Sequence, residues 1–107
     1  MTTKKKTAAT KTQRAVIVRA YSGVFFGYLV SKKGDSVTLR AARQVWSWDS
    51  TGMAEKVMTC GDIARLGLGT GSKVSGPAEV ILEQVGAVFS CTGSAVLSID
   101  GQHWATR

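Results

Sequence analysis

Apolar and polar positions alternate in short runs along most of the chain, with glycine-bearing breaks between them. Residues 15–20 are rich in β-branched side chains and predict a strand. Tyr21-Ser22-Gly23 predicts a turn, and residues 24–31 a second strand in which Gly27 marks a bulge or a close backbone approach. Lys32-Lys33-Gly34-Asp35 predicts a hairpin turn with glycine at a positive φ. Residues 36–41 alternate polar and apolar and predict a half-buried strand. Short connections make these three strands an antiparallel meander.

The alternation continues through Ala42-Arg43-Gln44-Val45-Trp46-Ser47-Trp48. In unbroken phase, Val37, Leu39, Ala41, Arg43 and Val45 would share one face and Arg40, Gln44, Trp46 and Trp48 the other. Two arrangements satisfy this pattern. Either a bulge near Ala41-Ala42 flips the phase and buries the indoles, or Trp46, Trp48 and Arg40 form an exposed stacking surface. The thermal stability of Arg43→Ala and Trp46→Ala separates them, since a large loss would assign these residues to the core.

Beyond Trp48 the pattern changes. Asp49-Ser50 can cap a helix over residues 51–58, in which Met53, Val57 and Cys60 have helical spacing. Gly61 interrupts it, and Asp62 can cap a second turn through Ile63, Ala64, Arg65 and Leu66. A glycine-rich loop, Gly67-Leu68-Gly69-Thr70-Gly71-Ser72-Lys73, follows and ends near Pro77. Residues 79–90 predict one long strand, or two joined at Gly86; residues 92–99 predict a short helix; Asp100-Gly101 is a turn, and Trp104 is expected to dock on the core. The expected fold is therefore β-rich α+β: a small antiparallel sheet, a meander plus C-terminal strands, with one or two short helices.

Composition narrows the class. The 107 residues are 44% hydrophobic and 20% charged, a globular profile with enough chain for one buried core. No run reaches the roughly 18 apolar residues of a membrane span. Of the 14 basic residues, Lys4, Lys5, Lys6, Lys11 and Arg14 cluster in the first 14 positions, which hold none of the seven acids. The remainder is nearly balanced, at nine basic against seven acidic residues. The expected organisation is a basic arm over residues 1–14 and a single domain over residues 15–107. Such an arm attracts nucleic-acid phosphates without reading sequence, or simply keeps a terminus soluble. No apolar secretory segment follows the lysines, which points to an intracellular protein rather than a secreted one. Cys60 and Cys91 are then expected to be reduced, half-buried apolar residues, a disulfide depending on their separation in space.

The catalytic inventory is thin. Gly71-Ser72-Lys73 fails the phosphate-loop pattern because serine precedes lysine, Val74 follows it, and the loop succeeds a helical stretch. Its backbone amides could still hold one phosphate. His103 lacks a recognisable nucleophile partner, and a metal would need His103, Cys60, Cys91 and an acid at none of the usual short spacings. Neither a cofactor nor a metal is expected, and no catalytic residues are assigned. Arg40, Arg43 and Lys73 are the basic residues to watch, because a guanidinium beside an indole suits a phosphorylated, base-bearing ligand. The alternative role for the arginines is a surface salt bridge to Asp49 or Glu83.

The segments Val18-Arg19-Ala20-Tyr21-Ser22-Gly23, Val37-Thr38-Leu39-Arg40-Ala41-Ala42-Arg43-Gln44-Val45-Trp46-Ser47-Trp48 and Lys73-Val74-Ser75-Gly76-Pro77 resemble a family of small proteins of tailed phages and prophages. Val80-Ile81-Leu82, Cys91, Ala95, Ser98-Ile99 and Trp104 fit the same pattern, so the resemblance spans about residues 15–104. The family has a Gly-Ala pair soon after the second tryptophan; here Asp49-Ser50-Thr51-Gly52 stands there, followed by an inserted stretch, residues 53–59. The resemblance transfers no catalytic residue and implies a phage-encoded accessory protein. The expected function is non-enzymatic binding of a phage or host protein or of a phosphorylated small molecule, through Arg40, Arg43, Trp46, Trp48 and Lys73, and a homo-oligomer is expected. A virion structural role and sequence-independent nucleic-acid binding through the arm are the alternatives. The expected location is host cytoplasm or virion.

Overall fold

In the computed structural model, residues 14–102 are described. Lys4, Lys5, Lys6, Lys11, His103 and Trp104 lie outside that range. Six strands and two helices follow in the order β1 (Ala15–Ala20), β2 (Gly23–Lys33), β3 (Ser36–Ser47), α1 (Cys60–Leu66), β4 (Lys73–Val74), β5 (Ala78–Leu82), β6 (Val85–Ser90) and α2 (Gly93–Asp100). The predicted meander forms: β1, β2 and β3 are successive antiparallel neighbours. β6 adds to β1, while β5 and then β4 line the other edge of β3.

This sheet cannot be flat. Laid out in the order β5-β3-β2-β1-β6, its outer strands would stand about 19 Å apart. Yet only Glu83 and Gln84 separate β5 from β6, a link that reaches about 11 Å at most. The sheet therefore curls until β5 and β6 come together at this link, although no ladder joins them among the described residues. Two hydrogen bonds close the curl: the Val85 amide donates to the Asp35 carbonyl (2.9 Å), and the Tyr21 amide to the Gln84 carbonyl (3.1 Å). They tie the β2–β3 turn to the β1–β2 turn, at opposite ends of β2. β2 must bend to allow this, and its pairing with β3 shifts register between Phe26 and Tyr28 and again between Leu29 and Ser31. Gly27 sits at the first shift. A Cβ there would lie 3.0 Å from the Leu39 Cβ and 3.2 Å from the Ala42 Cα, so the close approach expected of Gly27 is real.

Curling produces two cores. Val16, Val18, Phe25, Val37, Leu39 and Leu82 fill the inside of the curl. Ile17, Phe26, Val45, Ile63, Leu68 and Ile99 pack between the outer face and the helices. β1 is thus covered on both faces, which is why it reads as a continuous apolar run: Val16, Ile17 and Val18 are all fully buried. Each such side chain contributes about 1.5–3 kcal/mol of transfer free energy.

β3 carries the bulge expected near Ala41-Ala42. Ala41 has φ 52°, and the β3–β5 ladder shifts between Leu39 and Ala42. Val37 and Leu39 point into the curl before the bulge, and Ala42 does so after it, while Val45 joins the helix-side core. The phase flips, but both tryptophans stay half-buried. Strand alternation puts Trp46 on the face of Ala42, whereas Trp48, past the strand end, packs against the helix-side core.

Three local expectations need correction. Residues 51–58 form no helix: Gly52 has φ 79°, and the Ser50 hydroxyl accepts from the Val57 amide (2.8 Å), closing a loop where the cap was expected. Helix α1 is capped by Thr59, with Asp62 at its third position returning a bond to the Thr59 amide, instead of by Asp62 itself. The break between β5 and β6 falls at Glu83-Gln84, where Gln84 has φ 53°, and not at Gly86. Helix α2 forms as expected, with the Thr92 side chain accepting from the Ala95 amide.

Candidate functional site

The five expected contact residues do not form one surface. Arg43, expected on the surface, is 3% exposed. Its Nε donates to the Ser75 carbonyl (3.1 Å), one terminal nitrogen to Ile99 (2.8 Å) and the other to Gln102 (2.7 Å). The guanidinium thus secures the C-terminal end of α2, where orphan carbonyls and the helix dipole favour a cation. Burial pushes its pKa down from the ordinary value, and Asp100 partly opposes this. Neither a surface ligand nor the surface salt bridge weighed from sequence describes it. The cause is the Ala41 bulge, which turns Arg43 toward the helices.

Arg40 lies 5.1 Å over the Tyr28 ring, and the Tyr28 hydroxyl donates to Asp100 (2.8 Å). Burial, and then the Asp100 hydrogen bond, raise the Tyr28 pKa to about 12. Lys73 is exposed on β4, opposite Ser47. Arg14, the one arm cation among the described residues, reaches the Ser90 hydroxyl at 3.4 Å.

The glycine-rich loop is also occupied. Asp49 accepts from the Gly69 amide through its backbone carbonyl (2.9 Å) and from the Gly71 amide through its carboxylate (3.2 Å). Thr51 donates to the same carboxylate from its amide (3.2 Å) and hydroxyl (3.0 Å). These bonds, the Thr51 amide foremost, hold the Asp49 pKa below the ordinary carboxylate value. A Cβ on Gly69 or Gly71 would run into Asp49. The glycines therefore admit an internal carboxylate where a phosphate was considered from sequence.

The clearest concavity lies elsewhere. A cleft of about 490 Å³ opens between the β1–β2 end of the sheet and the chain leading into α1. Its volume suits a small ligand. Val24, Trp48, Met58 and Phe89 supply apolar walls, and Arg19 and Cys60 border them. Arg19 faces Val24 on one side and Ala87 on the other across the ladders, which fixes its place on the sheet. Of the expected residues, Trp48 alone lines this cleft. Arg19 and Phe89 were missed, although Arg19 stands as the lone charge within the apolar run Ala15–Ala20. That isolation was the available signal.

Burial raises the Cys60 pKa and the Arg19 charge opposes it, leaving no activated thiolate at neutral pH. Burial takes Cys91 to about 11, and both cysteines are free. Among the described residues, no group of three His, Cys, Asp or Glu side chains converges as a metal cluster would. No described helix is long and apolar enough to cross a membrane. What the cleft offers chemically is a flat apolar lining with one guanidinium at its rim.

Comparison with curated proteins and with solved structures returns no match. A family profile, however, matches residues 13–99, which take in the meander, α1, the cleft and all of α2 but Asp100. The chain belongs to that family, described as a domain of unknown function, DUF6948.

Proposed function

We propose that this chain is a non-enzymatic phage accessory protein that acts by binding a phosphorylated, base-bearing ligand in the cleft beside Arg19. One observation carries the reading: a guanidinium without an ion pair among the described residues borders a cavity walled by Trp48 and Phe89. The rings suit a base and the guanidinium suits a phosphate. Trp48 remains in the binding surface assigned from sequence, and Arg19 takes the role given there to Arg43. The phage assignment rests on the sequence resemblance.

Titration with adenosine monophosphate, followed by tryptophan fluorescence, tests the cleft. Wild type is expected to saturate, and Arg19→Gln to bind roughly 10-fold to 100-fold more weakly. Arg19 is exposed, so this variant is expected to fold normally. Unchanged affinity in Arg19→Gln overturns the reading.

A virion structural role is the second reading, favoured by β5. This strand pairs with β3 alone among the described residues and displays Ile81 at 64% exposure, features suited to edge pairing between copies. Mass spectrometry of purified particles decides it, and absence from the particle rejects it.

A further inference from the structure

We infer that the cleft is half of a longer groove that takes single-stranded nucleic acid, with one base beside Trp48 and Phe89, a backbone phosphate on Arg19, and the next base on Tyr21. This rests on the proposed cleft reading and extends it to a substrate class.

Three observations support it. First, Arg19 lines two concavities. Beyond the cleft, a second hollow of about 360 Å³ is formed by Arg19, Ala20, Tyr21, Gln84 and Gly86. Arg19 thus stands between them. Second, each hollow has its own aromatic side chain. Tyr21 is 86% exposed at the β1–β2 turn, a large ring left in water. Ile17, the ladder partner of Phe89, lies four residues before Tyr21, about 13 Å along the strand direction. A ring seated in the first hollow cannot also cover the second. Third, Arg19 makes no ion pair among the described residues, so its charge is left for a backbone phosphate. Aromatic side chains on either side of one cation suit a single strand, whose unpaired bases can stack; a duplex keeps its bases stacked on one another.

The second hollow is also locally determined. Gln84 adopts a left-handed conformation, and its carbonyl accepts from the Tyr21 amide. The closure of the sheet therefore holds the backbone of Tyr21 beside Arg19 before any ligand arrives, which lowers the ordering cost of binding.

The test compares adenosine monophosphate, the dinucleotide pApA, a ten-residue oligo(dA) strand and the corresponding duplex, on the full chain at fixed salt. The dinucleotide is expected to bind at least about fivefold more tightly than the mononucleotide, from one further base stack. Tyr21→Ala is expected to remove that gain and leave mononucleotide affinity unchanged, while Tyr21→Phe retains it. Tyr21 is almost fully exposed, so neither variant is expected to unfold the protein. The duplex is expected to bind more weakly than the strand, with no sensitivity to Tyr21→Ala. If mononucleotide and dinucleotide bind equally and Tyr21→Ala changes nothing, the two-base groove is wrong and the cleft reading survives. If neither nucleotide binds, both are wrong. If strand and duplex bind alike with Tyr21 irrelevant, the contact is a charge interaction alone and the groove is rejected.

Discussion

Arg43 shows how much a single side chain can depend on its neighbours' backbone geometry. Its three carbonyl partners come from the segment after β4 and from the end of α2, 32 to 59 residues away in the chain. Removing the guanidinium leaves those carbonyls poorly satisfied in a buried place, and hydrogen bonds to a charged group are each worth about 1.5–3 kcal/mol. Arg43→Met is expected to lower unfolding stability by about 3 kcal/mol or more in urea titration. The same loss in Arg43→Ala would match the core assignment set against the surface one from sequence. Tyr28 offers a second measurement at this scale. Its proton is held more tightly in the folded chain than in the unfolded one, where the value is near 10.0. Its contribution is therefore complete below pH 10 and fades as pH rises toward about 12. Cys91, raised to about 11, acts in the same direction. Alkaline unfolding of Tyr28→Phe is expected to begin at higher pH than that of wild type, readable by circular dichroism.

At the scale of elements, the Asp49 clasp replaces the predicted helix over residues 51–58. The sequence supports a capped helix there, and propensity alone would form one. Asp49 instead spends its carboxylate on Gly71 and Thr51, and Ser50 spends its hydroxyl on Val57. The Gly71 bond joins the loop before α1 to the loop after it, the other two close the first loop on itself, and Met58 and Thr59 beyond them line the cleft. Because the Asp49 carboxyl titrates below its unfolded value near 3.8, the clasp is intact above that pH and weakens as pH falls further. Asp62, which is shifted the same way by the Met58 and Thr59 amides, reinforces the acid sensitivity. Gly71→Ala is expected to open the clasp at neutral pH, because its Cβ would meet the Asp49 carboxylate. Faster amide exchange at Gly69 and Gly71, with the sheet amides unchanged, is the expected signature.

The whole molecule is decided by how the sheet closes. The strands of the meander could be read from alternation, and so could the glycine turn at Gly34, which has φ 58°. Nothing in that alternation says that β5 and β6 attach to opposite edges. The two-residue link between them makes the curl unavoidable once the pairings are known, and the curl creates both cores and the cleft. The Val85 and Tyr21 amides are therefore expected to exchange only through global unfolding, with protection equal to that of Ile17 and Phe26. Fast exchange at either one, with the strands protected, would mean that the closure opens on its own.

The chain's own order of residues was sufficient for the elements whose causes are local. Strand runs, tight turns and the capped helix after Thr92 depend on neighbours within about four positions, and these were legible. The direction of Arg43, the separation of Trp46 from Trp48, the filling of the glycine loop by Asp49 and the pairing of Arg19 with aromatic walls were decided only by the folded arrangement. A one-residue bulge reverses the facing of everything beyond it, and a hydrogen-bond partner dozens of residues away leaves no periodic trace in the chain.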